Sequence, residues 1–151
     1  MVKAKVDWQG EAAFLAVSGS GHKVLMDGPP DHGGKNLGPR PMEMILLGLG
    51  GCSSFDVMSI LKKSRQDVTA CVCEIEADRA DAVPAVFTKI HLSFRVSGND
   101  LKEALVKRAV QLSAEKHGHA ALEAGGTKFP KEIKRLMTFF SKVMTKTTAK
   151  I

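Results

Sequence analysis

The most constraining feature of this 151-residue sequence is an apolar run that follows shortly after a proline. The run extends from Met44 to Phe55 and contains no Asp, Glu, Lys or Arg. Pro41 suits the first turn of a helix, so we predict one long helix from Pro41 to about Lys63. The first half of this helix is apolar on every side, which predicts burial on all faces. At 12 residues the run is shorter than the ~20 that a membrane span needs, so we expect a buried central helix.

Three glycines interrupt this predicted helix at positions 48, 50 and 51. Each costs roughly 1 kcal/mol of helix propensity relative to alanine. A sequence that accepts this cost usually needs another backbone or a ligand to approach closely. We therefore predict a tight-packing notch directly before Cys52.

The remainder of the chain alternates in the manner of strands joined by hairpins. Strands are predicted in segments 2–9, 12–18, 22–26, 68–78 and 86–96, and a second helix from about Leu101 to Gly118. Segment 27–41 contains four prolines and four glycines and is predicted to be a functional loop. Hairpins without βαβ crossovers indicate an α+β fold with a mainly antiparallel sheet.

The formal net charge of +6 is confined to one end of the chain. Residues 1–124 contain 15 basic and 15 acidic side chains, whereas residues 125–151 contain seven basic side chains and one acidic. We divide the chain into a domain (1–124) and a basic amphipathic tail (125–151) with helical spacing. The neutral domain predicts no nucleic-acid partner, and the tail leaves open a contact with an anionic membrane.

Three cysteines, without a secretory leader pattern, indicate free thiols in a reducing cytoplasm. Cys52 is either a small core residue or a reactive thiol. A guanidinium such as that of Arg40 near the thiol would favour the reactive thiolate, with Glu43 as its carboxylate partner. Alternatively, Glu43 simply occupies the first helical turn, where the helix dipole favours it. The residues alone leave both interpretations open.

Cys71 and Cys73 are predicted to fill the core from one face of a strand. Together with His117 and His119 they would supply two sulfur and two nitrogen ligands for zinc, but the spacing matches no common zinc pattern. We therefore predict no metal and no bound cofactor.

The segments Gly38–Met44 and Leu49–Val57 resemble the OsmC/Ohr family, most closely its bacterial OsmC-like branch. The resemblance extends over residues 1–117. It implies an α+β fold in which two chains intertwine as a homodimer around their central helices. It further implies thiol-dependent reduction of organic hydroperoxides, an oxidative stress response. By this resemblance Cys52 is the peroxidatic cysteine, and Glu43 matches the glutamate that, with an arginine, stabilises its thiolate. Arg40 is the substitute candidate for that arginine.

Two departures from the family pattern affect the expected chemistry. Gly118 stands where the family places its second cysteine. The family's active-site arginine usually lies in the N-terminal strand region, but the first 39 residues here contain no arginine. An oxidised Cys52 would therefore need an external thiol reductant to return to its thiol form. The alternative is an impaired relative that binds a small apolar ligand at the dimer interface.

Overall fold

A computed structural model describes residues 1–82, 85–123 and 137–146, with side chains described as far as Ala114 and omitted beyond it. The chain divides into two compact units, Met1–Gly48 and Leu49–Ile151. The element order confirms the predicted α+β fold, and the described strands pair in antiparallel fashion with one exception.

The first unit contains a three-stranded antiparallel sheet. Its strands are β1 (Ala4–Trp8), β2 (Phe14–Ser18) and β3 (Lys23–Met26), and β2 lies in the middle. In this register Trp8 pairs with Phe14, which in turn pairs with Met26. Val6 and Trp8, which alternate with Lys5 and Asp7 along β1, are exposed in the single chain.

A buried carboxylate organises the loop that follows β3. Asp27 is only 2% exposed, and its two oxygens accept backbone N–H bonds from Gly28 (2.8 Å), Lys35 (2.8 Å) and Leu37 (3.1 Å). Its own N–H donates to the carbonyl oxygen of Pro39 at 3.2 Å, so the two ends of the loop meet. These bonds hold the pKa of Asp27 below its usual value, because they favour the charged form.

Helix α1 (Pro41–Lys63) has the bounds predicted from the sequence. One face is buried, through Leu49, Ser53, Val57 and Leu61. The opposite face remains exposed in the single chain, at Ile45 (55%), Leu47 (59%) and Phe55 (75%). Burial on all faces is therefore not achieved within one chain.

By length and composition, α1 would also suffice to cross a membrane. Its most apolar 18-residue window has a mean hydropathy of 1.7. The whole helix of 23 residues is therefore long and apolar enough to span a membrane, whereas its uncharged run of 12 residues is too short. The core helix of a soluble protein can meet the same criterion.

The second unit pairs a sheet with α2 and with the part of α1 that begins at Leu49. Strands β4 (Asp67–Arg79) and β5 (Phe87–Asn99) form a long antiparallel hairpin, and α2 extends from Glu103 to Glu123, past the predicted end at Gly118. The buried side chains form one cluster drawn from α1, β5, α2 and the loop before α2: Leu49, Val57, Leu61, Leu92, Phe94, Val96, Leu101, Val106, Ala109 and Val110.

The amphipathic helix predicted for the tail is wrong for the residues described there. Met137–Lys146 form strand β6, which pairs in parallel with β5. Apolar residues in a short segment fit both helical and strand spacing, and pairing with an existing strand favours the extended form. The amphipathic-helix basis for membrane contact therefore does not apply to these residues. The rest of the predicted tail lies outside the described residues.

Replacing Arg65 by glycine is expected to stabilise the protein. Arg65 follows α1 with a φ of 55°, in the left-handed region that costs a side chain roughly 1–2 kcal/mol. Arg65→Ala is the matched control, because it removes the same charge but keeps a Cβ. Urea unfolding should place Arg65→Gly about 1 kcal/mol above Arg65→Ala in free energy of unfolding. Equal stabilities would contradict the strain at this position.

Replacing Asp27 by asparagine is expected to destabilise the first unit at pH 7, because an amide group cannot replace both oxygens as acceptors. The pKa of Asp27 in the folded protein lies below the usual 3.8. The stability that the charged carboxylate adds is therefore fully present above pH 3.8 and is lost as the pH falls through the folded pKa. The difference in unfolding free energy between wild type and Asp27→Asn should therefore shrink in strong acid.

Asp7→Asn serves as the control for this experiment. Asp7 forms an exposed ion pair with Lys5 at 2.9 Å, and such pairs contribute little to stability. Equal losses in the two variants at pH 7 would show that the loop does not depend on Asp27.

Candidate functional site

Three free cysteines occupy two different environments. Cys52 is exposed in the fourth turn of α1, whereas Cys71 and Cys73 on β4 are half-buried and pack against the core. Core filling, as predicted for the β4 cysteines, agrees with this placement. The accessible thiol is that of Cys52.

Burial also suppresses the reactivity of the two β4 thiols. Desolvation raises the pKa of the Cys71 thiol. It raises the pKa of Cys73 to about 11, against the opposing effect of a hydrogen bond with the Ser54 side chain. Because the thiolate is the nucleophile, Cys71 and Cys73 are poor candidates for attack on a substrate.

Two contacts hold α1 close to Cys52, one at Gly50 and one at Ser53. A Cβ at Gly50 would overlap the terminal methyl group of Ile75 and lie 4.0 Å from the sulfur of Cys73. This confirms the notch predicted before Cys52 at Gly50, with β4 as the close neighbour. At Gly48 and Gly51 an added Cβ would meet nothing within 4 Å, so these two glycines do not form part of it. The buried hydroxyl of Ser113 donates to the carbonyl oxygen of Ser53 at 3.0 Å, which fixes α2 against α1.

Arg40 and Glu43 are joined at the start of α1. The backbone N–H of Arg40 donates to the Glu43 carboxylate at 2.9 Å, and the Arg40 carbonyl accepts the N–H of Met44 at 3.1 Å. Glu43 therefore performs the carboxylate half of a capping box, in the first turn where the helix dipole favours it. Both side chains are exposed.

The Arg40 guanidinium also influences the preceding loop. His32, through a hydrogen bond, is the main cause that lowers the pKa of the Asp31 carboxyl, and Arg40 adds a smaller electrostatic contribution. Arg40 therefore lies among charged partners of the first unit. Its role towards the Cys52 thiol remains a prediction.

A groove of about 470 Å³ lies along the last turns of α1, beginning one turn after Cys52. Half of its lining is apolar and the rest carries polar groups: Phe55, Met58, Ser59, Lys62, Gln66 and Val68. Its volume falls within the range of roughly 300–1,000 Å³ that is typical of small-molecule sites.

The described part of the chain contains no group of three or more His, Cys, Asp or Glu side chains able to hold a metal. Cys71 and Cys73 belong to the core packing described above. The side chains of His117 and His119, the other half of the zinc arrangement considered from the sequence, lie outside the described residues.

Sequence reasoning missed Asp27 and the groove. An aspartate at the start of a glycine- and proline-rich loop was a usable signal, because Asp side chains bond backbone N–H groups in turns. The groove had no such signal, because it forms only where the end of α1 meets the start of β4.

Comparison with known proteins places these features in a family. The sequence profile of the OsmC-like proteins matches residues 33–124. Protein YhfA of Escherichia coli K12 is 50% identical over 121 residues, which cover 80% of this chain and 87% of YhfA.

Two solved structures illustrate that the fold is shared even at low sequence identity. A hypothetical protein from Aquifex aeolicus is 22% identical, with a TM-score of 0.77 over 97% of this chain and 98% of its own. An organic hydroperoxide resistance protein OsmC from Legionella pneumophila is 13% identical, with a TM-score of 0.62 over 95% of this chain and 96% of its own. The profile match and the similarity to YhfA show that the chain belongs to the OsmC-like protein family.

Proposed function

We propose that this protein is a thiol peroxidase that reduces organic hydroperoxides through Cys52. The observation that carries the proposal is the exposure of Cys52 on α1, while Cys71 and Cys73 are half-buried in the core packing. Membership in a family with hydroperoxide resistance proteins among its structural neighbours supports the same chemistry.

The reaction requires two thiols from outside the chain. The Cys52 thiolate attacks one oxygen of the peroxide, the O–O bond breaks, and the other oxygen leaves as an alcohol after taking a proton. Cys52 is then a sulfenic acid. A first external thiol displaces water to form a mixed disulfide, and a second restores Cys52 and carries away the oxidised disulfide.

The external reductant is proposed because no cysteine of this sequence suits the second step. Gly118 occupies the position of the family's second cysteine. The other two thiols, Cys71 and Cys73, face the core from β4. We propose that Arg40 and Glu43 assist Cys52 by stabilising its thiolate, as the family resemblance implies. A reducing cytoplasm is the compartment that keeps such free thiols available.

Replacing Cys52 by serine should abolish peroxide-dependent thiol consumption with cumene hydroperoxide, because the hydroxyl group is a far weaker nucleophile. Cys71→Ala and Cys73→Ala are the matched controls and should retain activity. Monothiol and dithiol reductants should both support turnover, since no internal disulfide is required. Unchanged consumption in Cys52→Ser would overturn the proposal.

A second candidate is a non-catalytic member that binds a small apolar ligand. The missing cysteine at position 118 and the groove beside α1 favour it. Intact-mass measurement after brief treatment with cumene hydroperoxide separates the two candidates. A sulfenic acid or a thiol adduct on Cys52 supports the peroxidase, and an unmodified Cys52 supports the binding protein.

We further propose that the exposed face of α1 forms the centre of a homodimer. Ile45, Leu47 and Phe55 are apolar and exposed, and burying each would contribute roughly 1.5–3 kcal/mol. Side chains added at Gly48 or Gly51 would meet nothing within 4 Å, so this face has room for a second helix to approach closely.

Replacing Leu47 by glutamate should weaken the dimer by at least tenfold, because a charge would be buried without a partner. Sedimentation equilibrium measures the change. Val72→Glu is the control: Val72 is also apolar and exposed, but it lies on β4. Equal effects of the two variants, or a wild type that is monomeric, would contradict an interface on α1.

A further inference from the structure

Cys71 and Cys73 are two soft sulfur ligands on one face of β4. Successive side chains of a strand point to opposite faces, so these two residues, separated only by Val72, point the same way. Their partners across the hairpin are Val96 and Phe94, both fully buried, and no register shift separates the two pairs. The cysteine pair therefore lies on the core face of the sheet, away from the exposed side chains of α1.

The spacing of this pair is too wide for a disulfide bond but suits a shared metal ion. Residues two apart on a strand are separated by ~6.6 Å at ~3.3 Å per residue, whereas a disulfide needs Cβ atoms at about 3.5–4.5 Å. Two metal–sulfur bonds of roughly 2.3 Å in line place the sulfur atoms ~4.6 Å apart. Side chains that lean along the strand can reach that separation.

Helix α1 places a hydroxyl group beside one of the two sulfur atoms. Cys73 packs against α1 where Gly50 has no side chain, with its sulfur 4.0 Å from the position that a Cβ would take. One turn later on the same helix, Ser54 forms a side-chain hydrogen bond with Cys73 that favours its thiolate. Hydrogen bonds of this kind orient and stabilise the ligands of metal sites.

The number and softness of the ligands select the ion. Within the part of the chain that the structure describes, no group of three or more His, Cys, Asp or Glu assembles, so the four ligands that zinc prefers are not provided. Thiolates favour soft ions, and monovalent copper is a soft ion that two thiolates in line can hold. Both residues are half-buried and not sealed, so such an ion can reach them.

We propose that Cys71 and Cys73 bind one monovalent copper ion as a pair of thiolates, with the Ser54 hydroxyl donating to the Cys73 sulfur. The ion displaces two thiol protons to solvent and keeps its oxidation state, so neither an oxidant nor a reductant is consumed. Desolvation raises both pKa values, which keeps the thiols protonated until the ion arrives. The site goes beyond the proposed peroxidase and does not require Cys52.

Anaerobic competition with bathocuproine disulfonate, a coloured chelator of monovalent copper, tests the site. The parent protein for this experiment carries Cys52→Ser, so that the exposed thiol cannot contribute, and it should take one copper ion per chain. Adding Cys71→Ala or Cys73→Ala should lower the affinity by more than the roughly 10–100-fold that loss of an outer hydrogen bond costs. Adding Ser54→Ala should lower it by about tenfold.

A relocated cysteine provides the matched control for geometry. Val72→Cys combined with Cys73→Ala keeps two cysteines on β4 of the parent but places them on opposite faces of the strand. This variant should bind copper no better than Cys73→Ala alone.

Proton release gives a second readout on the parent itself. Both thiols are protonated near neutral pH because desolvation raises their pKa values, and the charged forms of Cys71 and Glu74 raise the pKa of Cys73 further. Loss of two protons per ion predicts an affinity that rises about 100-fold for each pH unit near neutrality, against about tenfold for a single thiol. X-ray absorption of the copper-loaded parent should show two sulfur neighbours.

Three results would overturn the inference. One is a parent that yields copper to the chelator as readily as its Cys71→Ala variant, and another is equal affinity in the parent and the relocated-cysteine variant. The third is a tenfold rise per pH unit or a single sulfur neighbour, either of which would show binding by one thiol. The pH and absorption measurements need only the parent, so they test the site even if a β4 variant fails to fold.

Discussion

The close approach of α1 to β4 at Gly50 is the contact on which the second unit depends. Because position 50 has no side chain, the tip of Ile75 can pack directly against the helix backbone. This contact orients the helix so that Leu49, Val57 and Leu61 enter the core. The same orientation leaves Cys52 exposed, since a residue two positions from Gly50 lies on nearly the opposite side of a helix.

Helix α1 therefore has two apolar faces with different partners. One is covered by the chain's own sheet and by α2, where Ser113 bonds the carbonyl of Ser53. The other is apolar but exposed in the single chain. A helix that is apolar all round calls for burial on every side. A second copy of the chain is the proposed source of the missing cover.

The three cysteines show how environment decides chemistry. Cys71 and Cys73 lose thiolate character because desolvation raises their pKa values. Cys52 is exposed, beside a groove whose lining includes the apolar Phe55 and the cationic Lys62.

In the first unit, the buried carboxylate of Asp27 organises a loop, since three backbone N–H groups hold it in its charged form. Here a charged group organises a loop that has little regular structure.

The sequence alone determined the bounds of α1, the strand hairpins, the notch at Gly50 and the family, because these rest on local spacing, turn residues and a contiguous motif. It could not determine that 137–146 form a strand, since the same residues fit helical spacing until β5 offers a partner. Only the tertiary structure decided which face of α1 is covered and where the groove lies. Both depend on contacts between residues far apart in the chain, such as Gly50 with Ile75 and Gln66 with Lys102.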